Sequence, residues 1–129
     1  MNKIFELQAE LQETYDDMGG MLNPQSLTGL SVGHTLDYIR DMKDFMLEEV
    51  NELMIEIGDG REALKPWSSK YDELRSRDYE PTDHVRSEAV DMLCFALNIC
   101  LAAGVDGSNI RKEYLKVYRK NKERQLNGY

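Results

Sequence analysis

Residues 89–103 read AVDMLCFALNICLAA, and one aspartate, Asp91, and one amide, Asn98, are all that interrupt an apolar run. No period-two alternation of apolar and polar residues runs through it, so a strand is excluded. A helix that is apolar nearly all round belongs at the centre of a bundle. The run carries a charge and falls short of the ~20 residues a membrane span requires, so it reads as a core helix. Thr82, after Pro81, has the side chain to cap its start, and Gly104 follows its end. This stretch predicts a helix from about 81 to 103 and an all-α fold.

Working outward, three further helices emerge. Ile4, Leu7, Leu11 and Tyr15 make an apolar stripe on a helix from about Asn2 to Asp17, ended by Gly19, Gly20, Asn23 and Pro24. A polar loop follows to about Gly33. Leu36, Ile39, Met46, Val50, Leu53 and Ile57 make a second stripe from about Thr35 to Ile57, with Gly58 to Gly60 as its stop. The segment from Arg61 to Pro81 holds the only tryptophan, Trp67, and is expected to contribute a short helical piece. Ser108 has the chemistry to cap a last helix from Asn109 to Leu126. The expectation is a single domain, residues 1–129, forming a four-helix bundle. So much apolar surface on short helices also implies pairing as a homodimer.

The chain has 129 residues and a net charge of −8. One domain of this size buries roughly two-thirds of its unfolded surface, enough for a core. The acidic balance argues against a binder of polymeric DNA or RNA, which needs a basic face. It leaves room for a nucleotide bridged to carboxylates by a cation. Cys94 and Cys100, six residues apart, point nearly opposite ways on a helix and read as free thiols. Lys3, Glu6, Glu10 and Glu13 break any signal-peptide pattern, so a cytoplasmic protein without a membrane anchor is expected. His34 and His84 show no metal-ligand spacing and read as surface polar residues.

Carboxylates carry the chemistry. Glu49, Glu52 and Glu56 stand three and then four residues apart, hence on one helix face beside the apolar stripe. Glu88 and Asp91 share a face of the apolar helix, where Asp91 among Val90, Met92 and Leu93 is a costly charge without a partner. Acidic pairs on two neighbouring helices are what an oxygen-ligand cation such as Mg2+ requires. Taken singly, each glutamate has the plainer reading of a solvated face.

Glu49-x-x-Glu52 with Glu88-x-x-Asp91 resembles the paired acidic motif of the all-alpha NTP pyrophosphatases, which include MazG and the dimeric dUTPases. Lys65-Pro-Trp67-Ser68 resembles the Lys-x-Trp motif of the dimeric dUTPases. The ending Asn121-x-x-Arg124-Gln125-x-Asn127-Gly128-Tyr129 resembles their Asn-x-x-Arg-Gln-x-Asn-Gly-Tyr stretch. Leu7-Gln8-x-x-Leu11 resembles their opening element. These motifs run in matching order over most of the chain.

The resemblance implies Mg2+-dependent hydrolysis of a deoxynucleoside triphosphate, dUTP to dUMP and pyrophosphate being favoured. It implies metal binding by Glu49, Glu52, Glu88 and Asp91, with Glu49 or Glu52 orienting or deprotonating the attacking water. Lys65, Lys70 and Arg124 would contact phosphates, Asn121 the nucleotide, Trp67 the sugar or base, and Gln8 the base edge. Departures bear on the base. Gln12 stands where the family has Asn, Val117 where it has Lys, and Cys94 where a His is common. Gly104-Val105-Asp106-Gly107 replaces a longer insertion before the last helix. A dCTPase, a broader MazG-like dNTP pyrophosphatase and a non-enzymatic helical interaction protein remain alternatives.

Overall fold

The computed structural model describes residues 1–58 and 65–128. Among them five α-helices run in order: α1 (Asn2–Asp17), α2 (Val32–Ile57), α3 (Ser69–Arg75), α4 (Asp83–Ala102) and α5 (Ile110–Leu126), with a 3₁₀ turn at Pro24–Gly29. Among the described residues there is no strand. The all-α class and the four long helices are as expected, with α3 the short piece expected between Arg61 and Pro81. The stop expected at Gly60 and the terminal Tyr129 lie outside the described residues.

The chain forms two compact units, Met1–Ile39 with Leu97–Tyr129, and Arg40–Ala96. Helices α2 and α4 therefore each contribute to both. In the first unit Phe5, Pro24, Leu27, Tyr38, Leu97 and Leu101 are buried. The buried face of α1 carries Phe5, Gln8 and Gln12, not the predicted stripe. Ile4, Leu7, Leu11 and Tyr15 are each between 41% and 53% exposed. The periodicity found a helix and its most apolar face; the chain covers a different one.

Polar residues set the joints of this unit. Asn23 Oδ1 accepts from the Gln25 amide at 3.1 Å, and the Asn23 amide donates to Asp16 Oδ2 at 2.8 Å, which fastens the 3₁₀ turn to α1. Ser31 Oγ accepts from the His34 amide at 3.1 Å, and α2 starts at Val32, three residues before the start expected at Thr35. Gly104 turns the chain after α4 with φ +85°, a conformation glycine takes without steric cost. Ser108 does not cap α5. Its amide donates to Asp106 Oδ1 at 2.8 Å, and the Asn109 side chain folds back, receiving the Asp106 amide at 2.9 Å and donating to the Gly104 carbonyl at 2.8 Å. Gly107 packs so close that a Cβ would lie 2.9 Å from the Asn2 carbonyl oxygen.

In the second unit Met42 and Val85 are buried, and the rings of Phe45 and Phe95 pack at 5.6 Å. Thr82 caps α4 as expected, its Oγ1 accepting from the Val85 amide at 3.1 Å. Ser68 caps α3 in the same way at 3.2 Å from the Tyr71 amide. α4 is not sheathed all round: Val90 is 55% exposed, and residues 92–96 are only partly covered. Asp91, expected to be an enclosed charge, is exposed, so its carboxylate keeps water and the desolvation argument for it falls.

Candidate metal centre

The second unit brings three carboxylates together. One oxygen each from Glu49 and Glu52 of α2 and Glu88 of α4 lie within 4.8 Å of one another. Helix geometry explains the pair on α2, since residues three apart share a face one turn up. Glu49 and Glu88 are half-buried, and Glu52 is exposed. Oε2 of Glu49 and Oε2 of Glu88 are both buried with no hydrogen-bond partner. A buried carboxylate oxygen without a donor is expensive, and two in one cluster are a place for a cation.

The electrostatics follow from that geometry. Burial pushes the Glu49 pKa up, a hydrogen bond shared with Glu52 pushes it further, and the charges of Glu52, Asp91 and Glu88 add to this. Asp91 thus acts on Glu49 electrostatically while lying outside the close trio. Burial and the Asp91 charge also push the Cys94 thiol up, and burial does the same for Cys100, so neither is an available thiolate. The donor set fits a hard divalent cation: oxygen ligands alone, from two helices, with exposed Glu52 leaving a side open to waters and phosphate oxygens.

One contact was missing from the sequence reading. His84, in the first turn of α4, places Nε2 3.3 Å from Glu88 Oε1 and 3.5 Å from Glu56 Oε2. Its spacing of four from Glu88 was visible in the sequence; the approach of Glu56 from α2 was not. Glu56 also lines a cleft of about 230 Å³ with Leu74, Arg77, Tyr79 and Thr82. His34 is the plain surface residue expected, its Nδ1 2.6 Å from Ser31 Oγ.

The residues assigned to substrate fall in separate groups. Lys65 and Trp67 meet each other, the Lys65 ammonium 5.7 Å from the ring centroid, with Trp67 78% exposed. Lys70 is exposed on α3. Gln8, Asn121 and Arg124 belong to the first unit. Gln8 is buried and its Nε2 donates to Asn98 Oδ1 at 2.8 Å, which supplies the partner that Asn98 needed inside an apolar helix. Gln12 is buried one turn further on, with Oε1 unpartnered. Asn121 is exposed on α5, and Arg124, one turn on, is half-buried.

Comparison with known proteins bears on what this cluster serves. The chain is 29% identical over 119 residues to the dCTP pyrophosphatase of Enterobacteria phage LZ5, covering 83% of this chain and 68% of that protein. It is 30% identical over 111 residues to the dCTP pyrophosphatase of Enterobacteria phage T4, covering 77% of this chain and 65% of that one. This chain is similar to the phage dCTP pyrophosphatases. The resemblance to the all-alpha NTP pyrophosphatases, drawn above from motifs, stands at that level. The matched part spans about two-thirds of those relatives' length. No protein-family model and no solved structure matches the chain. The relatives give no support to dUTP as the favoured base and do support the dCTP alternative. Among the described residues, no helix is long and apolar enough to cross a membrane.

Proposed function

We propose that this chain is a pyrophosphatase of deoxynucleoside triphosphates, with dCTP as the preferred substrate, yielding dCMP and pyrophosphate. The observation that carries it is the convergence of Glu49, Glu52 and Glu88 within 4.8 Å, two of them with buried, unpartnered oxygens. Glu49, Glu52 and Glu88 would hold Mg2+, and Asp91, whose charge acts on Glu49, would join them as the paired acidic motif implies. A divalent ion bound there supplies the positive charge that lets a nucleophile approach a polyphosphate. We assign Glu49, half-buried beside Glu52 and Glu88, to orient or deprotonate the attacking water. Lys65, Lys70 and Arg124 contribute charge to the phosphates, with Arg124 able to bind in bidentate fashion. Asn121 contacts the nucleotide, and Trp67 offers an exposed ring to the sugar or base.

Cytosine is favoured over uracil on the relatives, and Gln8 is the residue that the resemblance assigns to the base edge. Uracil is the second reading, favoured by the Lys65-Pro-Trp67 and C-terminal motifs. A homodimer in the cytoplasm is part of the proposal, with the exposed stripe Ile4, Leu7, Leu11 and Tyr15 as its contact face. The test is incubation with each dNTP and Mg2+, followed by separation of products. Release of dCMP and pyrophosphate at least tenfold faster than dUMP is expected. Equal turnover of all bases removes the base assignment, a wild type that hydrolyses no dNTP removes the enzyme, and a folded Glu49→Ala variant as active as wild type removes the carboxylate cluster as its active site.

A further inference from the structure

We infer that His84 is a positioning residue for the cation centre: by engaging Oε1 of Glu88 it leaves Oε2 of that carboxylate for the metal. This rests on the metal reading proposed above and goes beyond it, because His84 belongs to no part of the paired acidic motif.

The geometry divides the Glu88 carboxylate between two tasks. Oε1 lies 3.3 Å from His84 Nε2, while Oε2 is buried and has no protein partner. A glutamate has three side-chain torsions, so without a second contact its two oxygens would exchange places. The imidazole faces Oε1 at contact distance, and that contact favours one orientation of the carboxylate. The same nitrogen stands 3.5 Å from Glu56 Oε2, so the ring also links the last turn of α2 to the first turn of α4. The ring's own anchor is fixed, because Thr82 caps α4 through both its hydroxyl and its carbonyl, to the amides of Val85 and Arg86. Groups that hydrogen-bond to metal-ligating carboxylates orient them, and their loss costs about 10–100-fold in metal affinity. With its side chain 65% exposed, His84 belongs at the lower end of that range.

The experiment is Mn2+ binding to the nucleotide-free full chain, followed by electron paramagnetic resonance of the free ion, on proteins with the helical circular dichroism of wild type. His84→Ala is expected to bind Mn2+ about tenfold more weakly. His84→Gln, whose terminal amide reaches toward the same oxygens, is expected to recover most of that loss. Should the alanine variant not fold, His84→Phe keeps the ring, removes the nitrogen and is expected to show the same tenfold loss. Binding by His84→Ala or His84→Phe within twofold of wild type, with Glu88→Ala losing it, overturns the role of His84 alone. Failure of His84→Gln to recover any affinity overturns it as well. Unchanged binding in Glu49→Ala and Glu88→Ala overturns the metal centre and this inference together.

Discussion

Replacing Glu49 by Gln is expected to make the metal-free protein more stable and the metal-bound one less so. The substitution keeps volume and removes one charge from three carboxylates that lie within 4.8 Å of one another. Glu49 therefore faces two like charges, Glu52 and Glu88, at that separation or less. At 4.8 Å, Coulomb's law gives about 3.5 kcal/mol per pair for an effective dielectric near 20, and about 0.9 kcal/mol in bulk water. Because Glu52 is exposed, screening pulls the sum toward the lower figure, and relief of about 1–2 kcal/mol is expected. In EDTA on the alkaline side of neutrality that raises Tm by roughly 2–10 °C. In Mg2+ the wild type gains about 2.7 kcal/mol at a hundredfold excess over Kd, and the variant gains much less. The assay is thermal unfolding by circular dichroism, with and without Mg2+, at one protein concentration. A variant no more stable than wild type in EDTA, or one that keeps the full Mg2+ shift, refutes the reasoning.

The raised pKa of Glu49 sets a direction with pH. A proton held more tightly in the folded than in the unfolded protein stabilises the metal-free fold below the ordinary carboxylate pKa of 4.5. That contribution is lost as pH rises from there through the raised value. Mn2+ affinity runs the other way, falling on acidification through the same window as protons compete, and a titration at several pH values will register it. Asn98→Leu strands the buried Gln8 amide and should cost about 1–3 kcal/mol in urea unfolding, with the Gln8→Leu, Asn98→Leu double variant costing less than the sum of the two. Leu7→Glu with Leu11→Glu places charge on the exposed stripe of α1 and should convert a dimer to a monomer in sedimentation equilibrium; a wild type monomeric at every concentration would remove the dimer.

The carboxylate cluster was legible in part: its pairs on one helix follow from local geometry, while the approach of Glu88 to α2 belongs to the fold. Glu49 and Glu52 are neighbours on any helix, as are Glu88 and His84, and helix periodicity and caps located those helices to within a few residues. The buried polar contacts of the first unit were less legible. Gln12 was noted only as a departure, and its burial beside the Gln8–Asn98 pair had no local signal. Asp91 went the other way, since apolar sequence neighbours did not enclose it.

The sequence by itself determined where the helices begin and end and which residues share a face, because hydrogen bonds, caps and side-chain directions within a helix depend on residues no more than one turn away. Tertiary structure alone decided which face is covered. It buried Phe5, Gln8 and Gln12 and left Ile4, Leu7, Leu11 and Tyr15 in the open. It also brought Glu56 of α2 to His84 of α4. Burial and contact between helices depend on how two surfaces fit, and that is a property of the pair, which neither helix's own pattern contains.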